Sequence, residues 1–416
     1  MREKPEGIKS EQWAIGVRCH DVDSIEHIVV AHKLEGYDAQ GKSDAYLESR
    51  FGSRTHRTGA LFFVLSKLTG AAARLYLVCL VLTQFVTTPL WSDGVLPFTL
   101  TVCIVLLLIW LYTQRSGIQT VVRTDALQTL CLLLAAVGII VAAMQVMHLD
   151  FSAMLSTIKE SPMCRMWEWD ATSRQAFWRQ FLSGVFIVIV MTGLDQDMMQ
   201  KNLTCRNLRE AQKDMCTYGL AFLPVNALFL AMGILLYSLC AQQGLTPPAS
   251  GDALLPWLVS SGTLGTWVII PFTIGIVAAS FSSADSALTA ITTSLCVDIL
   301  GKKDDVKLRK RMHLLVAFVF MLFIIAFKAI NSTSVIDAIY ILCSYTYGPL
   351  LGLFAFSLLA KRQVNDRWVP WICVASPLIC FAIDTFTSQL TGYKFGYELL
   401  MLNGTLTFVG LALIKK

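Results

Sequence analysis

Charged side chains are scarce. Asp, Glu, Lys and Arg supply 15% of the 416 residues, where a soluble domain carries about a quarter, so a soluble globular enzyme or nucleic-acid-binding module is a poor fit. Paired-cysteine motifs are missing as well. The twelve cysteines stand singly, mostly inside apolar runs, with no C-x-x-C pair, which favours small core hydrophobes over a zinc site or a disulfide framework. Residues 1–45 contain neither an apolar run long enough to span a bilayer nor the hydrophobic segment of a signal peptide. They are expected to form a polar N-terminal tail ahead of a transmembrane domain over 46–416.

What is abundant is apolar surface, with 55% hydrophobic residues and a mean hydropathy of +0.58. Runs of about 20 apolar residues, the length that crosses ~30 Å of hydrocarbon, number ten. They fall near 57–86, 96–114, 123–147, 176–196, 215–240, 264–296, 311–331, 333–360, 368–388 and 395–414. All should be helical, because a backbone in lipid must satisfy its own hydrogen bonds. Loop charge then predicts orientation. With residues 1–56 inside, the later inner segments carry 17 Lys and Arg against six in the outer loops and outer span ends, the bias expected of cytoplasmic loops. Both termini are therefore expected on the cytoplasmic side of the cell membrane. The longest outer segment, 148–175, has the composition of a short amphipathic helix with Trp167 and Trp169 at an interface. Sequons at Asn202, Asn331 and Asn403 are at chance level.

The stretch "IVAASFSSADSALTAITTSLCVDIL" (276–300) is hydrophobic enough for lipid yet rich in hydroxyls. Ser282, Ser286, Thr289 and Thr293 fall at i, i+4, i+7 and i+11, one stripe of a helix, with Ser283 beside it. Hard oxygens in that arrangement suit a cation stripped of water. Small hydroxylated residues also let helices pack closely, a competing explanation for the same stripe. The Ala279 carbonyl, one turn before Ser283, would join the site if the helix opened locally. Asp285 is an intramembrane carboxylate, and Arg74, within "TGAAARLYLVCL", an intramembrane cation; each needs a partner, a cavity or a ligand. Lys67, two turns nearer the cytoplasm, is expected to snorkel.

The run "SSADSALTAITTSLCVDI" resembles the eighth core helix of the sodium/solute symporter family. "YLESRFG" (46–52) is similar to that family's loop before the third core helix, and "VVRTDALQ" (121–128) to the start of the fifth. "GLDQDMMQKNLTCRNLREAQK" (193–213) resembles the end of the sixth, and "YTYGPLLGLF" (345–354) the tenth. The resemblance implies an all-α LeuT-type inverted-repeat bundle with its sites at the midplane. About ten transmembrane helices are expected, the first two core helices being apparently missing from the N-terminal side. It also implies a main sodium site at Ala279, Ser282 and Ser283, and a second cation site at Ser286 and Asp125, to which Asp285 adds an acid where relatives usually have a neutral residue. Arg74 is placed like the arginine that holds the substrate carboxylate in sialic-acid-transporting members, a task suited to a guanidinium fork. Asp195 and Gln196 are candidates for substrate hydroxyls, whereas Asp197 and Lys201 fit the cytoplasmic interface. Met191 and Thr192 replace the aromatic gate of sugar-transporting members.

The expected activity is sodium-coupled uptake of a small organic solute, an anion such as a carboxylate or acidic sugar being the candidate that Arg74 suggests, with sodium as coupling ion, no other cofactor, no enzymatic chemistry and no nucleic-acid partner. Two other classes fit the same composition: an inactive or truncated symporter fragment, and a membrane sensory domain of the same fold. Two further apolar spans encoded upstream would discriminate the first by showing the present start to be an artefact; the second needs an output domain, for which little chain remains after the last span.

Overall fold

The computed structural model describes residues 47–48, 50–83, 95–113, 118–165, 167–170, 173, 176–195, 198, 205, 207–248, 251–302, 305–330, 335–360, 362–393 and 395–414. The expected polar tail at 1–45 lies outside the described residues. Twelve α-helices follow one another: α1 (Ser53–Leu82), α2 (Val95–Thr113), α3 (Ile118–Val146), α4 (Phe151–Glu160), α5 (Phe177–Val188), α6 (Leu208–Gln242), α7 (Leu254–Ser260), α8 (Ile269–Ser294), α9 (Val306–Ile330), α10 (Val335–Leu359), α11 (Val369–Thr391) and α12 (Leu399–Leu413). No strand occurs among the described residues.

Seven helices among these residues are long and apolar enough to cross a membrane, and three shorter apolar ones, Leu96–Leu111, Phe177–Gly193 and Leu399–Leu413, occupy the remaining expected spans. Many of their leucines and aromatics point outward. Leu134, Leu220, Leu223 and Phe381 are all at least 60% exposed, a cost in water that vanishes against lipid. The chain is a multi-pass membrane protein. The loop before α5 does contain a short amphipathic helix, α4, capped by Asp150, whose carboxylate accepts the Ala153 N–H at 2.7 Å. That bond and one from Ser152 hold the Asp150 carboxyl below the usual carboxylate range.

Helix α1 is the hub, packing on α8, α9, α10 and α11. Its run Gly70–Ala73 explains how so many helices reach it, since small side chains let backbones approach closely. Its first turn is tied to the α10–α11 loop by Asp366, whose Oδ1 accepts from Thr55 N and Oγ1, both at 2.7 Å, and whose Oδ2 accepts from Arg54 N at 3.0 Å. Arg50 reaches the same loop, donating to the Ala360 carbonyl at 2.7 Å. A second core gathers α3, α4, α6, α7 and the first turns of α8, around Leu235, Leu239, Leu258 and Phe272. Helices α3 and α8 approach most closely at Gly275, where a Cβ would sit 2.7 Å from that of Ala135.

Candidate functional site

The hydroxyl-rich segment of α8 is brought against the beginning of α3. Ser282 Oγ donates to Asp125 Oδ1 at 2.7 Å, across 157 residues of sequence. Gly275 sets this juxtaposition two turns away, because only a side chain reduced to hydrogen lets α8 lie so near α3. Ala279, Ser282 and Ser283 are half-buried, as is Asp125, while Ser286 is buried and Asp285 fully so. Asp285 Oδ1 accepts the Ser286 N–H at 2.5 Å, and Ser286 Oγ has no hydrogen-bond partner among the described residues. Gln128, one turn on from Asp125, also buries an Oε1 without such a partner. An orphaned oxygen inside a membrane bundle is costly unless a ligand or water completes it.

The outer half of the stripe is thus a convergence of carboxylate, hydroxyl and amide oxygens. Its inner half is different. Thr293 Oγ1 donates back to the Thr289 carbonyl at 2.9 Å, so Thr293 is satisfied within its own helix. Thr292 instead contributes to a buried bridge: the ring of His313 on α9 lies 3.1 Å from Thr292 Oγ1 through Nδ1 and 2.8 Å from Thr113 Oγ1 on α2 through Nε2. The local opening expected at Ala279 is absent, for α8 runs without interruption from Ile269 to Ser294. Irregularity falls instead beyond it, in the π-helical turn Leu295–Ile299 that carries buried Asp298.

Across the bundle, Arg74 is exposed on a helix whose adjacent Ala71, Ala72, Ala73 and Leu75 are buried. Its Nε donates to the Gly70 carbonyl at 3.2 Å, one turn earlier, and no carboxylate among the described residues pairs with it. The other intramembrane cation of α1 behaves otherwise. Lys67 does not snorkel: its Nζ binds both carboxylate oxygens of Asp195, at 2.9 and 2.7 Å, with the two side chains 11% and 8% exposed. Asp195 is therefore engaged by a lysine. It follows the π-helical turn Ile189–Gly193, which includes Met191 and Thr192. Gln196, Asp197 and Lys201 lie outside the described residues.

Leu77, Val78 and Val81, one to two turns beyond Arg74, join Leu132, Ala135, Phe272, Gly275 and Ile276 around a cavity of about 250 Å³. The cavity begins one turn before Ala279 on α8, so it adjoins the candidate cation ligands on the side of the α3–α4 and α7–α8 connections. No group of three or more His, Cys, Asp or Glu side chains is placed to hold a metal ion among the described residues. Hydroxyl, amide and carboxylate oxygens of the kind found at Ser282, Gln128 and Asp125 are of the type that suits a hard cation.

Sequence motifs alone single out Asp125 and the Ser282–Ser286 segment, and the structure joins Asp125 to Ser282. Gln128 was visible only as the last letter of "VVRTDALQ", and His313 carried no signal, since a histidine near a helix start reads equally as solvated.

No protein-family model matches the sequence. The chain is 27% identical to the sodium/sialic acid symporter SiaT of Proteus mirabilis over 84% of its own length and 71% of the relative's. It is 26% identical to the sodium/sialic acid symporter NanT of Aliivibrio fischeri over 84% of its length and 72% of the relative's. It is 23% identical to the mouse sodium-coupled monocarboxylate transporter 1, covering 76% of this chain but about half (52%) of that protein. A solved structure of a Na+-coupled sialic acid symporter in its substrate-bound, outward-open state superposes with a TM-score of 0.70 at 20% identity, covering 92% of this chain and 78% of that one. The fold is accordingly the LeuT-type bundle, and the homologues are transporters, not enzymes.

Proposed function

We propose that this homologue of the sodium-coupled symporters, in its LeuT-type bundle, couples the inward sodium gradient to uptake of a small organic anion, with residues 46–416 as the transport domain. The observation that carries the reading is the contact between Ser282 and Asp125, beside the uncompensated oxygens of Ser286 and Gln128. Sodium inserted there replaces the hydroxyl–carboxylate hydrogen bond with two Na–O contacts and bridges α3 and α8. Ala279 (through its carbonyl), Ser282 and Ser283 form one ligand group on α8; Asp125, Ser286 and Asp285 form the second. The continuity of α8 means that the Ala279 carbonyl becomes a ligand only if its helical hydrogen bond lengthens when sodium enters.

Arg74 receives the carboxylate of the solute. It is a cation on the hub helix with no carboxylate partner among the described residues, and a guanidinium fork binds a carboxylate through two charge-assisted hydrogen bonds. The names of the relatives support an anion of this kind, since sialic acid and monocarboxylates share only the carboxylate. Sodium and solute are coupled because each binds the outward-open arrangement more tightly than the inward-open one. The charge bias of the loops supports cytoplasmic termini, an orientation with the cavity beyond Arg74 on the outer side. No chemical step and no cofactor beyond the coupling ion is required.

The test is uptake into proteoliposomes of labelled N-acetylneuraminate and lactate under an inward sodium gradient, with potassium replacing sodium in the control. Sodium-dependent accumulation of either supports the proposal. Equal uptake in sodium and potassium, or accumulation of neutral sugars alone, overturns it.

A further inference from the structure

Lys67, Gly70 and Arg74 lie at i, i+3 and i+7 on one face of α1, so the two cations stand about 10 Å apart along the helix. A closed contact between α1 and α10 separates them. Gly70 has no side chain, and the buried Cys343 of α10 sits over it, its Sγ 3.4 Å from where a Cβ would be, with Arg74 Nη2 at 3.7 Å from the same point. The Cys343 thiol lies within electrostatic reach of both cations. The far cation is neutralised by Asp195, and Asp195 directly follows a π-helical turn, a backbone feature whose looser hydrogen bonding marks segments that shift at functional sites.

We infer that Lys67 is a second station for the solute's carboxylate, which on its way inward leaves Arg74, passes Gly70 as α1 and α10 part at Cys343, and displaces Asp195 from the Lys67 ammonium. The inference rests on the assignment of Arg74 to the solute's carboxylate. A carboxylate moving between two cations about 10 Å apart never faces a long path with its charge uncompensated, whereas an unpaired anion in a low-dielectric bundle is very costly. An ammonium also suits a station that must release its ligand: it is a compact charge with rotatable donors, without the fixed bidentate grip of guanidinium. Asp195 serves as the resident competitor. It holds the charge of Lys67 while no solute is present and ties α1 to the end of α5. Its displacement exchanges one ion pair for another and frees the α5 end to move, so inner opening follows arrival of the anion.

The experiment uses the full chain in proteoliposomes, with labelled N-acetylneuraminate and lactate as probes, and compares wild type, Lys67→Ala and the exchanged pair K67D/D195K. Equilibrium binding and sodium-driven uptake are both measured. For Lys67→Ala the account expects binding within about threefold of wild type and uptake reduced at least about tenfold, because the second station lowers a barrier and not the first-site energy. The exchanged pair restores the tie between α1 and α5 but removes the cation from the path, so uptake stays low. Recovery of wild-type uptake in K67D/D195K, or parallel loss of binding and uptake in Lys67→Ala, overturns the station. A wild-type protein that accumulates neither probe under a sodium gradient marks a different failure, that of the transport reading itself, and the station falls with it.

Discussion

Ser282 on α8 donates its hydroxyl proton to the carboxylate of Asp125 on α3 at 2.7 Å, joining segments 157 residues apart in the chain. Such a contact at the half-buried edge of a membrane bundle brings a hydroxyl and a carboxylate oxygen together, the pair proposed above as cation ligands. Asp125→Asn keeps the volume and a hydrogen-bonding group but removes the charge. Sodium affinity is expected to fall by about tenfold to a hundredfold, the range for losing one charge-assisted partner in a buried site. Sodium titration of solute uptake checks it; an unaltered half-saturating sodium concentration counts against a ligand role for Asp125.

Arg74→Ala removes the cation proposed for the solute's carboxylate. Uptake of anionic solutes should drop by at least about tenfold, with Arg74→Lys intermediate because an ammonium cannot grip both oxygens. Sodium-driven thermal stabilisation of the Arg74→Ala protein should persist. Uptake that survives in Arg74→Ala would move anion recognition elsewhere.

Gly275→Val places a branched side chain where a Cβ alone already lies 2.7 Å from Ala135 Cβ. The α3–α8 contact must open, at a cost of about 1–3 kcal/mol for overpacking, and the two halves of the cation site separate with it. A lower thermal midpoint accompanied by weaker sodium dependence is expected. A lower midpoint with sodium affinity intact would show that α3 contributes nothing to the ion.

Asp366→Ala removes the three hydrogen bonds that close the first turn of α1. Loss of a helix N-terminal cap costs about 0.5–2 kcal/mol, so a reduced thermal midpoint is expected with little change in solute affinity. Comparison of unfolding and binding in the same preparation separates these two effects.

On the opposite end of the bundle Glu398 forms an ion pair with Arg179 and accepts from the Tyr393 hydroxyl at 3.1 Å. Burial works to raise its pKa, but backbone hydrogen bonds and the Arg179 guanidinium prevail and hold it below the ordinary carboxylate value. A carboxyl depressed in the folded state stabilises above its unfolded pKa and loses that contribution as pH falls through the folded one. Stability should therefore decline on acidification below about pH 4.5, and less steeply in Glu398→Gln. Identical pH profiles in the two proteins would exclude the pair as a contributor.

The spans and the amphipathic α4 were legible because hydrophobic length and period are local properties of the chain. The Ser282–Ser286 segment was legible because its spacing repeats with the helix, and Asp125 because it stands in a recognisable motif. The partner of Lys67 was not: 128 residues separate it from Asp195, and a lysine on an apolar helix reads as snorkelling until tertiary packing supplies an acid. The Asp366 tie to Thr55 spans 311 residues and leaves no mark on either local sequence. Asn403, read as a chance sequon, is fully buried and donates to the carbonyls of Ser344 and Tyr345 at 3.1 and 3.0 Å. Periodicity cannot reveal such a role, since a buried amide and an exposed one occupy the same helical position.

The most direct test of the account is the sodium dependence of thermal unfolding of the full chain in detergent, for wild type and for the double variant Ser282→Ala/Ser283→Ala, with potassium as reference. The account predicts stabilisation of wild type by sodium over potassium that grows as RT ln(1 + c/Kd), c being the sodium concentration, and its loss in the double variant. Equal sodium stabilisation of the two proteins, or none in wild type, would contradict a cation site on this face of α8.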